Sequence, residues 1–87
     1  MAIAVFFDGK GQSIEKYDES IEIGGDEVRH QPARRSHVCW QTEDGFGVLD
    51  VWESEEDFGK FGDLLGPILE KVGLTMQPQV FPLHNTL

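Results

Sequence analysis

Cysteine is almost absent from this chain: Cys39 is the only one among 87 residues. No disulfide can form within the chain, and a lone thiol fits a reducing compartment. Bases are scarce too, with seven Lys and Arg against sixteen Asp and Glu and a formal charge of −9. Such a surface repels phosphate backbones and argues against nucleic acid as a partner. Long apolar runs are also missing. The longest, Met1 to Phe7, stops at Asp8, far short of the ~20 residues that cross a bilayer. It lacks the basic flank and cleavage site of a signal peptide. The expectation is a cytoplasmic protein with no membrane contact. The three histidines, His30, His37 and His84, have no ligand spacing, and neither HxxxH nor CxxC occurs. No metal is indicated. No glycine-rich phosphate loop follows a strand, so no nucleotide cofactor is indicated either.

A chain of this length makes one domain. A domain so small buries only about 60% of the surface its unfolded form exposes, and self-association is one remedy for a thin core.

Apolar periodicity gives the element order. Ala2–Asp8 is apolar on both faces and reads as a central strand. Ser13 is placed to cap a helix whose buried face is Ile14, Tyr17 and Ile21, and Gly24-Gly25 is placed to end it. Asp26–Ala33 is polar, holds Pro32, and reads as a loop. Arg35–Gln41 and Phe46–Trp52 are strand-like and flank Thr42-Glu43-Asp44-Gly45, a hairpin signal. Ser54 caps a second helix with Glu55, Glu56 and Asp57 at the positive end of its dipole. Phe58, Phe61, Leu65, Ile68 and Val72 form its stripe, Gly66-Pro67 predicts a kink or break, and Gly73 closes it. Val80–Leu83 is a last strand that Pro82 confines to an edge. The β-α-β-β-α-β order predicts a ferredoxin-like α+β domain over residues 1–87, with one four-stranded antiparallel sheet and two helices. Helices on one side leave the other sheet face open, which predicts a homodimer through that face.

Alternation sorts the hairpin into two sets. Val38 and Trp40 lie beside Leu49 and Val51; this set is nearly all apolar and reads as the core under the helices. His37, Cys39 and Gln41 lie beside Phe46, Val48, Asp50 and Trp52, a mixture suited to a ligand pocket or a dimer interface. His37 and Asp50 are the best catalytic pair, because a carboxylate can orient an imidazole and raise its basicity for general base work. Trp52 would supply a flat apolar wall. The plainer role for the pair is a buried polar contact that fixes register. His84 and Asn85 form a second candidate, either completing a pocket or making ordinary tail contacts. Cys39 reads as a small buried residue rather than a nucleophile. Arg29, His30, Arg34 and Arg35 cluster in RHQPARR, which reads as a solvated loop offsetting nearby acids or as a local anion site.

The run VLDVWESEEDFGKFGDLLGPILEKVG, followed by FPLHN, resembles small bacterial proteins of the dimeric α+β barrel superfamily, whose best-known relatives are the antibiotic-biosynthesis-monooxygenase-like domains. The resemblance implies ferredoxin-like subunits whose two sheets meet to form a barrel, with a pocket in each subunit between sheet and helices. It spans cofactor-free oxygenases, haem-degrading enzymes and lactone isomerases. The haem-degrading pattern of an Asn ending the first strand and a His on a helix is not met: the strand ends in Phe7-Asp8, and the predicted helices hold no His. The resemblance therefore implies no cofactor and suggests two functions. One is a cofactor-independent monooxygenase or isomerase acting on a small aromatic or polyketide-like compound. The alternative is a non-catalytic homodimer that binds a small apolar ligand or serves a regulatory or structural role.

Overall fold

The computed structural model describes all 87 residues. Its strands are β1 (Ile3–Asp8), β2 (Arg34–Thr42), β3 (Gly45–Trp52) and β4 (Pro78–Pro82); its helices are α1 (Ile14–Arg29) and α2 (Glu55–Val72). The strands form one antiparallel sheet in the order β2-β3-β1-β4. This is the ferredoxin-like arrangement. β1 is central, as a strand apolar on both faces should be, and Pro82 lies on edge strand β4, where a missing N–H leaves no ladder bond unmade.

The caps follow the sequence. The Ser13 hydroxyl accepts from the Glu15 amide and that of Ser54 from the Asp57 amide, each satisfying a donor the helix leaves orphaned. Gly73 ends α2 in the left-handed conformation. Two helix boundaries depart from expectation. Gly25 does not end α1. It leaves helical geometry at φ 60° and ψ −143°, and the chain then resumes the helix through Asp26–Arg29, the segment read as loop. Nor do Gly66-Pro67 break α2, which runs on to Val72 with Pro67 on its exposed side.

The hairpin turns on Glu43-Asp44, with Thr42 paired to Gly45. Gly45 is required by contact rather than by turn dihedrals: a Cβ there would run into the carbonyl oxygen of Gly9. The backbone of Gly9 passes that close because it extends the ladder, donating to Phe46 O and accepting from the Phe46 amide.

The register pairs His37 with Asp50, Cys39 with Val48 and Gln41 with Phe46, as alternation predicts, but the helices cover the opposite face from the one expected. Val5 and Trp52 are fully buried and Phe46 is 1% exposed, whereas Trp40 is 42% and Val38 53% exposed. The mixed set is thus the core face, packed with Ile3, Val5 and Phe7 beneath Val28, Phe61 and Val72. The apolar set lies on the open face, where Trp40 lies across Gly47 and stacks on Phe6 at 6.2 Å. Both faces carry enough apolar residues to serve as a core, so composition could not choose between them. Phe46→Ala is expected to cost about 3–5 kcal/mol, seen as a lowered urea midpoint; a midpoint unchanged from the parent would mean the helices cover the other face.

Candidate functional site

His37 and Asp50 face each other across β2 and β3 on the helix-covered side. His37 Nδ1 lies 2.5 Å from Asp50 Oδ1. Asp50 is 2% exposed, and its other oxygen accepts from the Trp52 indole N–H at 3.2 Å. A carboxylate only accepts, so the Nδ1 proton is directed at Asp50 and Nε2 is left as the acceptor. The Tyr17 hydroxyl fills that position at 2.6 Å. Tyr17 comes from the second turn of α1, and its ring lies nearly parallel to the imidazole and tilted against Phe46. The four side chains form one continuous chain of hydrogen bonds, Tyr17 to His37 to Asp50 with Trp52 behind, assembled from a helix and two strands.

This chain of bonds opens on a cavity of about 330 Å³ between sheet and helices. Phe7, Ile21, Phe61 and Leu65 give it apolar walls, while Tyr17, His37 and Asp50 supply its polar side. Burial pushes the Tyr17 phenol up to about 12, with Cys39 and Asp50 adding to the effect. Burial also raises the Cys39 thiol, the reverse of what activates a nucleophile. No group of three or more His, Cys, Asp or Glu side chains converges in a metal-binding arrangement.

The site residues expected from sequence fall in three places. His37 and Asp50 are in contact. Trp52 is not the apolar wall it was expected to be: fully buried against Phe58 and Phe61, it holds Asp50 from behind. His84 and Asn85 lie exposed in the segment after β4, outside the cavity. Tyr17 was legible only as part of a helical stripe; the signal that could have found it is that its position faces the same sheet surface as His37.

No family model and no curated protein matches the sequence. Solved structures do match. Rv0793 of Mycobacterium tuberculosis superposes with a TM-score of 0.74 at 11% identity, covering 99% of this chain and 98% of that one. SnoaB of Streptomyces nogalater, a cofactor-independent oxygenase, gives 0.63 at 14% identity, covering 99% and 94%. A Nitrosomonas europaea protein put forward as an antibiotic biosynthesis monooxygenase gives 0.69 at 7% identity, covering 98% and 100%. At these identities the likeness is one of fold: the chain has the ferredoxin-like fold of these structures.

Tyr17 is the only tyrosine, so phenolate absorbance reports on it alone. Its midpoint in the native protein is expected near pH 12, against 10 for the unfolded chain. Because the folded state keeps the proton longer, stability should be unaffected by this group below pH 10 and fall as pH rises from 10 towards 12. Tyr17→Phe should remove that component, and a native midpoint at 10 would mean the hydroxyl is not held in the cavity.

Proposed function

We propose that this protein is a cofactor-independent monooxygenase of small aromatic compounds, with His37 as the base. The observation that carries the reading is a buried Asp50 holding a half-buried His37, which opens, with Tyr17, into an apolar cavity. The monooxygenase-like fold supports it, and so does the likeness to SnoaB, which is itself a cofactor-independent oxygenase.

The chemistry suits a ring system with an acidic CH₂ group beside a carbonyl. Bound against the apolar walls, such a substrate takes the Tyr17 hydroxyl bond onto its carbonyl oxygen, which frees His37 Nε2. Nε2 then accepts the carbon-bound proton, and Tyr17 stabilises the resulting enolate. The enolate gives one electron to dioxygen, and the two radicals combine to form a C–O bond. The proton held on His37 completes the hydroperoxide, which loses water to leave a new carbonyl. The sum is R₂CH₂ + O₂ → R₂C=O + H₂O. The apolar walls limit the water around the intermediate.

Oxygen uptake with anthrone and related enolisable ring ketones tests this. His37→Gln is expected to lower kcat about 100-fold or more while leaving the fold intact. Binding of these compounds with no uptake would replace the reading with the non-catalytic ligand-binding one, which is favoured by the fact that both His37 ring nitrogens already have partners within the chain.

The second element of the proposal is a homodimer through the open sheet face. Val38, Trp40, Leu49 and Phe81 are all more than a third exposed there, next to Phe6, an apolar surface that a monomer would leave to water. Sedimentation at micromolar concentration should give twice the 9.8 kDa chain mass, and Trp40→Glu should give the monomer. A parent protein that sediments as a monomer would reject the dimer.

A further inference from the structure

The apolar cavity does not end at His37. Beyond it lies an open recess with no hydrophobic lining residue, formed by Arg29, His30, Gln31, Pro32, Arg34, Ser36 and His37. Arg29, Arg34 and His37 line both spaces, so together they make one site with an apolar interior and a cationic mouth.

Arg34 reaches this mouth through a backbone irregularity. The register slips by one residue between Arg34 and Ser36, so that Arg34 pairs with Trp52 and Ser36 with Val51. Strict alternation would put Arg34 on the open face with Ser36; the bulge at Arg35 turns it towards the helices. Its guanidinium then lies 5.8 Å from the Trp52 ring and 5.6 Å from that of Phe61. One nitrogen, Nη2, donates to the carbonyls of Val28 and Arg29. The head group is therefore fixed, while its other N–H groups have no partner in the chain.

Neighbouring arginines differ in their partners here. The next residue, Arg35, is paired through two nitrogens with Glu53, both at 2.9 Å. Neither Arg34 nor Arg29 pairs with a carboxylate, which is also true of Lys10, Lys16 and Lys71; Arg34 differs from all of these in being partly buried and hydrogen-bonded in place. Packing on Trp52 and Phe61 accounts for the aliphatic and planar parts of Arg34 but not for a missing counter-charge. A partly buried, immobilised guanidinium with free N–H groups and only the carbonyls of the α1 C-terminus against it, at the mouth of an apolar cavity, is arranged to receive a planar anion from outside.

We propose that the ligand of this site is an apolar carboxylic acid, its body between sheet and helices and its carboxylate on Arg34, with Arg29 adding charge. This rests on the reading of the cavity as a ligand site and deepens it by giving the substrate an acid group. The phenyl rings of Phe7 and Phe61 along the walls favour an aromatic body over an aliphatic chain.

The test compares naphthalene-2-carboxylate with naphthalene-2-carboxamide, and octanoate with octanamide, by calorimetry at neutral pH and low salt. For the parent protein the carboxylate should bind at least about tenfold tighter than its amide, with the preference shrinking as salt rises, and naphthalene-2-carboxylate should outbind octanoate. Arg34→Met should abolish the preference by weakening carboxylate binding far more than carboxamide binding. Arg29→Gln, at an exposed position, should reduce it and carries the test if Arg34→Met does not fold. Carboxylate and carboxamide binding within about twofold of each other would overturn the acid while leaving the apolar cavity intact as a ligand site. Octanoate outbinding the naphthoate would overturn the aromatic body. Failure of all four compounds to bind would overturn both this proposal and the cavity reading beneath it.

Discussion

A carboxylate buried under two helices is the constraint on which the rest of this structure depends. Asp50 sits in the middle of the helix-facing side of the sheet, where an unpartnered charge would be strongly destabilising. Its solution draws on three elements. The Trp52 indole, two residues along the same strand, satisfies one oxygen, and His37 on the neighbouring strand satisfies the other. Tyr17 on α1 satisfies the outer nitrogen of that histidine. Removing His37 or Trp52 leaves a buried Asp50 oxygen without a partner, and Tyr17 adds α1 to the same chain of bonds, so the β2–β3 register and the seating of α1 are tied to one another. The same requirement brings an imidazole and a phenol to the edge of an apolar cavity, so the groups that keep Asp50 tolerable inside the fold are also the polar groups of the cavity wall.

Much of this was legible in the sequence. Element order, caps and the face shared by His37 and Asp50 follow from periodicity, because a two-residue repeat fixes which side chains are neighbours whatever the fine register. Which face turned inward did not follow. Val38, Trp40, Leu49 and Val51 look more like a core than a set containing His, Asp and Gln. The decision rests on β1, whose two faces are both apolar: Ile3, Val5 and Phe7 go inward with the mixed set, and Ala4 and Phe6 go outward. Nothing local to the hairpin records that choice. Tyr17 was visible as a helical stripe residue but not as a hydrogen-bond donor, since its partner is twenty positions away. The inward turn of Arg34 depends on a bulge that strict alternation cannot anticipate.

The two sheet faces divide the work physically. The helix-covered face holds aromatic bulk around one polar chain and leaves a cavity, so its packing is incomplete in a shaped way. The open face is flatter, with Trp40 folded down over Gly47 and against Phe6, and exposes apolar surface continuously. Acids outnumber bases over the chain as a whole, while Arg29, His30 and Arg34 meet at the cavity mouth.

The interruption of α1 at Gly25 separates two jobs that one rigid rod would have joined. The stretch before it carries Tyr17 and must hold that hydroxyl within hydrogen-bonding distance of the imidazole. The final turn carries Val28 and Arg29, which shape the entrance. Since the helical ladder is broken between them, a change in that last turn is not transmitted along a common axis to the phenol. The cavity mouth is in effect a replaceable part: substitutions in the last turn of α1 can reshape it without moving the Tyr17–His37 contact.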